Sequence, residues 1–121
     1  MDVVPGAQVG LGLMIHHPVG IVVGRGVKVG DGCTILQGVT LGERHADGSG
    51  LPIYPQIRDR CTIGANAVIL GDVSVGPNST VGASALVIKD VPENCVAVGV
   101  PARSIPLKHV AAATERKAHN D

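Results

Sequence analysis

Ile57-Arg58-Asp59-Arg60-Cys61-Thr62, Ile63-Gly64-Ala65-Asn66-Ala67-Val68, Ile69-Leu70-Gly71-Asp72-Val73-Ser74, Val75-Gly76-Pro77-Asn78-Ser79-Thr80 and Val81-Gly82-Ala83-Ser84-Ala85-Leu86 are five consecutive hexapeptides. Each opens on an aliphatic residue. Each carries a small or aliphatic residue at its fifth position: Cys61, Ala67, Val73, Ser79 and Ala85. The same six-residue pattern runs upstream through Val23, Val29, Ile35 and Leu41, with Val27, Cys33 and Val39 at the fifth position. Val9 and Ile15 extend it further. Glycine follows the opening residue at Gly10, Gly24, Gly30, Gly42, Gly64, Gly76 and Gly82. An amphipathic helix repeats every 3.6 residues and a half-buried strand every two, so neither produces this rhythm. A period of six marks an all-β solenoid, a parallel β-helix built of hexapeptide repeats.

The rhythm breaks twice. From Ile15 to Val23 the step is eight, so two extra residues sit within His16-His17-Pro18-Val19-Gly20. From Leu41 to Ile57 the step is sixteen, so ten extra residues form a protruding loop over 43–56. That loop is polar and glycine-rich, and insertions in solenoids project from one edge and often build the binding face. The repeat ends near Pro92, and Asn94 to Arg103 reads as an apolar, strand-like cap. One domain over residues 1–106 is expected, followed by a tail over 107–121 that is either a short helix or disordered.

Composition agrees with a narrow prism. The 121 residues contain 17 Gly and 8 Pro, one Tyr, and neither Trp nor Phe. Stacked Val, Ile, Leu, Ala and Cys leave no room for rings. Ten basic residues balance ten acidic ones, and the body carries no basic run at either end. Duplex nucleic acid therefore has no evident partner surface, and the lack of aromatics argues against stacking on single strands. No stretch approaches the roughly 20 apolar residues of a membrane span. The first residues show no signal-peptide pattern. Three widely spaced Cys give neither a disulfide framework nor a zinc pair. A reduced, cytoplasmic protein without a metal is the expectation.

Three hexapeptides per triangular coil bring residues about eighteen apart into register. Counting through both breaks puts His17, Gln37, Ala65 and Ala83 in one column. It puts Cys33 above Cys61 in another, about 5 Å apart by strand spacing. The first column sets an imidazole at one end of a turn edge and two methyl-sized side chains further along it. A long thin ligand could lie in such a groove.

Four segments resemble the serine acetyltransferases, a family of hexapeptide-repeat acyltransferases. They are Gly12-Leu13-Met14-Ile15-His16-His17-Pro18-Val19-Gly20-Ile21-Val22-Val23-Gly24, Ile35-Leu36-Gln37-Gly38-Val39-Thr40-Leu41-Gly42, Pro55-Gln56-Ile57-Arg58 and Val98-Gly99-Val100-Pro101-Ala102-Arg103. The resemblance covers about residues 2 to 105. It implies a left-handed β-helix that assembles as a homotrimer, with acetyl-CoA lying between neighbouring subunits. The family's catalytic histidine falls on His17 and its paired aspartate on Asp2. An imidazole near its ordinary pKa can take the proton of an attacking hydroxyl, and a carboxylate on its other nitrogen fixes the tautomer. The family's coenzyme contacts fall on Gly42, Ala65 and Ala83. A backbone N–H at Gly42 would serve the tetrahedral oxyanion. Lys89 and Arg103 are further candidates for the coenzyme phosphates.

The departures concern the acceptor. The family has an Asp before its catalytic His and an Arg-His pair before the Pro-x-Ile-Arg segment. Here those places hold His16 and Ile53-Tyr54. Losing that Arg removes a bidentate carboxylate clamp. His16, Tyr54 and Arg58 then become the candidate acceptor contacts, suited to hydroxyls. A sugar or polysaccharide precursor is the expected acceptor on this reading, with L-serine the alternative. A non-catalytic trimeric scaffold is a second alternative. A β-helical metal enzyme would need three convergent histidines, which the spacing of the five His does not offer.

Overall fold

The computed structural model describes residues 2–3, 5–45 and 52–110. The chain winds as a three-sided prism of two- and three-residue strands. The first sheet stacks β1 (Asp2–Val3), β4 (Val22–Val23), β7 (Thr40–Gly42), β12 (Val68–Leu70) and β15 (Leu86–Val87). The second stacks β2 (Gln8–Val9), β5 (Lys28–Val29), β10 (Gln56–Ile57) and β13 (Ser74–Val75). The third stacks β3 (Met14–Ile15), β6 (Thr34–Ile35), β11 (Thr62–Ile63) and β14 (Thr80–Val81). It ends on β16 (Cys95–Gly99) and β17 (Ala102–Pro106). Every ladder in the coils is parallel; the closing β16–β17 hairpin is antiparallel and lays Val98 opposite Arg103.

The register explains the period of six. Ile15 pairs with Ile35, Ile35 with Ile63, Ile63 with Val81, and Val81 with Ala97. One aliphatic side chain per strand points inward, and its equivalents stack along the prism axis. From Ile21 to Ala97 these positions are buried, Ile63, Ile69, Val75 and Val81 completely. Burying each such side chain contributes about 1.5–3 kcal/mol. The fifth positions form their own interior columns, and Thr34–Thr62–Thr80–Val96 pairing sets Cys33, Cys61, Ser79 and Cys95 one above another. All three thiols are free and buried. Cys33 Sγ donates to Arg58 O and Cys61 Sγ to Gly76 O, each at 3.1 Å. The neighbouring Cys61 thiol is the main cause that lowers the Cys33 pKa to about 7, against burial, while the Cys33 neighbour and burial push Cys61 up.

The insertion is shorter at its far end than the repeat count suggests. Its base is a hairpin, β8 (Arg44–His45) against β9 (Pro52–Ile53), with Arg44 opposite Ile53. Pro55 is already buried, its carbonyl accepting from Lys28 N, and Gln56 lies between Lys28 and Ser74 in the second sheet. Residues 46–51 and the side chain of His45 lie outside the described residues. At the C-terminal end residues 107–110 form a helical turn, tied back by Leu107 N to Asn94 O at 2.8 Å; the rest of the tail lies outside the described residues. Among the described residues no helix is long and apolar enough to cross a membrane.

Candidate functional site

The prism has three corners, and the candidate residues are divided among them. Corner I joins the third sheet to the first. It carries His16 and His17 on the coil that contains β3, Ala65 after β11 and Ala83 after β14. Asp2 belongs to the same neighbourhood through its backbone, because it pairs with Val22 on the strand that leaves this corner. Its side chain lies outside the described set.

The two extra residues of the first break decide how His17 is presented. Strand pairing of Ile15 with Ile35 would set His17 against Gln37. The turn side of the ladder gives that place to Val19: Gly38 N donates to Val19 O at 2.8 Å, as Asn66 N does to Gln37 O at 2.9 Å and Ser84 N to Ala65 O at 2.8 Å. The surplus is therefore absorbed before Val19, and His17 is extruded from the column that the count placed it in. It adopts φ 56°, with Val19 N donating back to its carbonyl at 2.6 Å. Other side-chain residues at positive φ, such as Asn66 and Ser84, or Arg60, Asn78 and Asn94, sit in turn columns shared by neighbouring coils. His17 shares its conformation with no neighbour. A non-glycine residue held there costs free energy and marks a position that the surroundings impose. Both His16 and His17 are exposed.

Gln37 lies beneath this bulge. Its Oε1 is, among the described residues, the one buried side-chain oxygen or nitrogen without a hydrogen-bond partner. Such an orphan costs about 1–3 kcal/mol unless a donor reaches it.

Corner II joins the first sheet to the second and holds Gly42, Tyr54 and, at its far end, Lys89. Tyr54 takes the place above Gly26 in register. A Cβ on Gly26 would fall 2.2 Å from Tyr54 Cδ2 and one on Gly24 would fall 3.0 Å from Cε1, so the ring needs two glycines beneath it. The phenol donates to Glu43 Oε2 at 3.2 Å. Partial desolvation first, and then that carboxylate, hold its pKa above the ordinary range. Val22, Arg25, Leu41, Gly42, Glu43 and Tyr54 surround a cavity of about 370 Å³. Arg25 and Glu43 were not among the residues expected from sequence. Glu43 is the first residue of the insertion, a position that no repeat constrains.

Arg58 stands apart at corner III, between the second and third sheets, where its Nε donates to Ser74 Oγ at 3.1 Å. It borders a second hollow of about 340 Å³ on the second sheet. Arg103 lies exposed on the closing hairpin. A single chain thus gathers His16, His17, Ala65 and Ala83 but leaves Gly42, Tyr54 and Arg58 on other corners. Among the described residues no three His, Cys, Asp or Glu side chains gather as a metal site would require.

A family described as bacterial transferase hexapeptide (six repeats) matches residues 54–89. The serine acetyltransferase of Mycobacterium tuberculosis is 44% identical over 108 residues, covering 87% of this chain and 45% of that protein. A serine acetyltransferase of Neisseria gonorrhoeae solved in complex with serine superposes with a TM-score of 0.78 at 41% identity, over 86% of this chain and 41% of the other. A serine acetyltransferase solved in complex with CoA gives 0.77 at 42%, over 86% and 41%. The chain spans less than half the length of these relatives. Over the coils that it shares with them, this chain belongs to the serine acetyltransferase-like family of hexapeptide-repeat transferases with a left-handed β-helix.

Proposed function

We propose that the chain is an acetyl-CoA-dependent O-acetyltransferase whose acceptor is L-serine. The observation that carries this reading is the extruded, positive-φ His17 in a segment more than two-fifths identical to serine acetyltransferases. Sequence departures alone favoured a sugar acceptor. The relatives, one solved with serine and one with CoA, reverse that order.

In this mechanism His17 accepts the proton of the acceptor hydroxyl as its oxygen attacks the thioester carbon. The resemblance assigns Asp2 to the other ring nitrogen, where a carboxylate would stabilise the imidazolium. The Gly42 N–H stabilises the oxyanion until the coenzyme thiolate leaves, taking the proton back from His17. Ala65 and Ala83 leave room along corner I for the extended arm of the coenzyme, and Lys89 and Arg103 are candidates for its phosphates. His16 completes the acceptor side, whereas Arg58, at corner III, is set away from it. Because Gly42 and His17 lie on different corners of one chain, a second copy must bring them together. A homotrimer with its sites between subunits meets that need.

The test is release of coenzyme thiol from acetyl-CoA across a panel of L-serine, sugars and nucleotide sugars, with the oligomeric mass measured in parallel. Turnover of L-serine by a trimer is expected. Turnover of sugars alone would reassign the acceptor. No release and no coenzyme binding would leave a scaffold.

A further inference from the structure

We infer that the corner-II cavity recognises the charged ends of an α-amino acid, with Arg25 pairing its carboxylate and Glu43 its ammonium. This deepens the transferase reading and rests on it. Sequence comparison leaves a contradiction: a relative is solved in complex with serine, yet the family's Asp and Arg-His positions hold His16 and Ile53-Tyr54 here. The structure offers a replacement at a different place. Arg25 and Glu43, of opposite charge, line one cavity of about 370 Å³ with Val22 and Leu41. A zwitterion presents the complementary pair of charges. A neutral sugar would leave both partners unanswered.

Each charged group is held by its surroundings. The stem of Arg25 crosses Gly6, where a Cβ would fall 2.7 Å from Arg25 Cγ. Glu43 Oε2 accepts from Tyr54 Oη at 3.2 Å, leaving Oε1 for a ligand. Tyr54 is itself seated on Gly24 and Gly26. Arginine suits a carboxylate because its planar guanidinium offers two parallel N–H donors. Gly42, to which the resemblance assigns a coenzyme contact, lines the same cavity. An acceptor held between Arg25 and Glu43 therefore lies beside the donor. Its hydroxyl would meet the His17 of a neighbouring copy.

The test uses three acceptors with the full chain: L-serine, L-serinamide, which lacks the carboxylate, and N-acetyl-L-serine, which lacks the ammonium. Arg25→Gln is expected to raise KM for L-serine roughly 10- to 100-fold. It should leave KM for acetyl-CoA unchanged and abolish the preference for L-serine over L-serinamide. Glu43→Gln should do the same for the preference over N-acetyl-L-serine. Both residues are exposed, so both variants should keep the wild-type melting temperature. Turnover of L-serine with unaltered KM in both variants would overturn this inference and leave the transferase reading standing. Equal losses on all three acceptors would overturn it too, since they would mean a structural role. Wild-type turnover of sugars alone refutes it without touching acetyl transfer. No thiol release from any acceptor would bring down the underlying reading instead.

Discussion

The coils from Ile57 to Val87 and those before them are built from the same hexapeptide, yet they differ in what they carry. The later coils run without interruption: Ile57, Ile63, Ile69, Val75 and Val81 follow one another at six-residue steps and are at most 2% exposed. The earlier coils contain both breaks and most of the candidate chemistry. Two surplus residues extrude His17 at corner I. Ten surplus residues at corner II supply Glu43 and Tyr54, which close a cavity against Arg25. Regular repeats give a rigid prism, and irregular ones give it something to do. Residues freed from the ladder can take conformations and positions that stacking forbids.

Altering one region while sparing the other sharpens this contrast. His17→Ala should lower kcat by about 10²–10⁴-fold while trimer mass and melting temperature stay near wild type. Retained activity would sink the mechanism. Ile63→Ala, in the regular coils, should do the reverse. It should cost about 2–5 kcal/mol in denaturant unfolding, with near-normal kcat for the folded fraction. If that substitution damaged catalysis more than stability, the division between scaffold and site would fail. Ala83→Leu tests the place where the regular coils border the site. The added bulk in the corner-I groove should raise KM for acetyl-CoA roughly tenfold, leaving KM for the acceptor alone. An unchanged coenzyme KM would move the coenzyme off this edge. The smallest effect is expected beneath the bulge. Gln37→Met removes the orphaned amide and should stabilise the unliganded protein by about 1 kcal/mol in thermal or chemical unfolding. A loss of stability would mean that the amide has a partner in the assembled protein.

Much of the scaffold was legible because a period of six constrains it at every step. Ile15, Ile35, Ile63 and Val81 pair as the count required, and Cys33 neighbours Cys61. The site was legible in its residues and less so in its geometry. His17 was singled out, but the count could not say on which side of it the surplus would be absorbed. Only the Gly38–Val19 hydrogen bond settles that. Tyr54 was expected to face an acceptor, and it does line a cavity. Its seat on Gly24 and Gly26 depends on where the insertion returns, which no repeat encodes. Arg25 and Glu43 escaped notice because a charged residue in a turn looks like any solvated one until a cavity forms between them.

The interior thiol column gives the protein a built-in reporter. Cys33, Cys61 and Cys95 are 0%, 1% and 6% exposed. A thiol reagent that counts released coenzyme is therefore nearly blind to the folded protein, and the assay baseline stays flat. Once the prism opens, the same reagent gains three further equivalents per chain. A single absorbance trace without acceptor thus times the opening of the coils. With acceptor present, it separates turnover from unfolding by their rates.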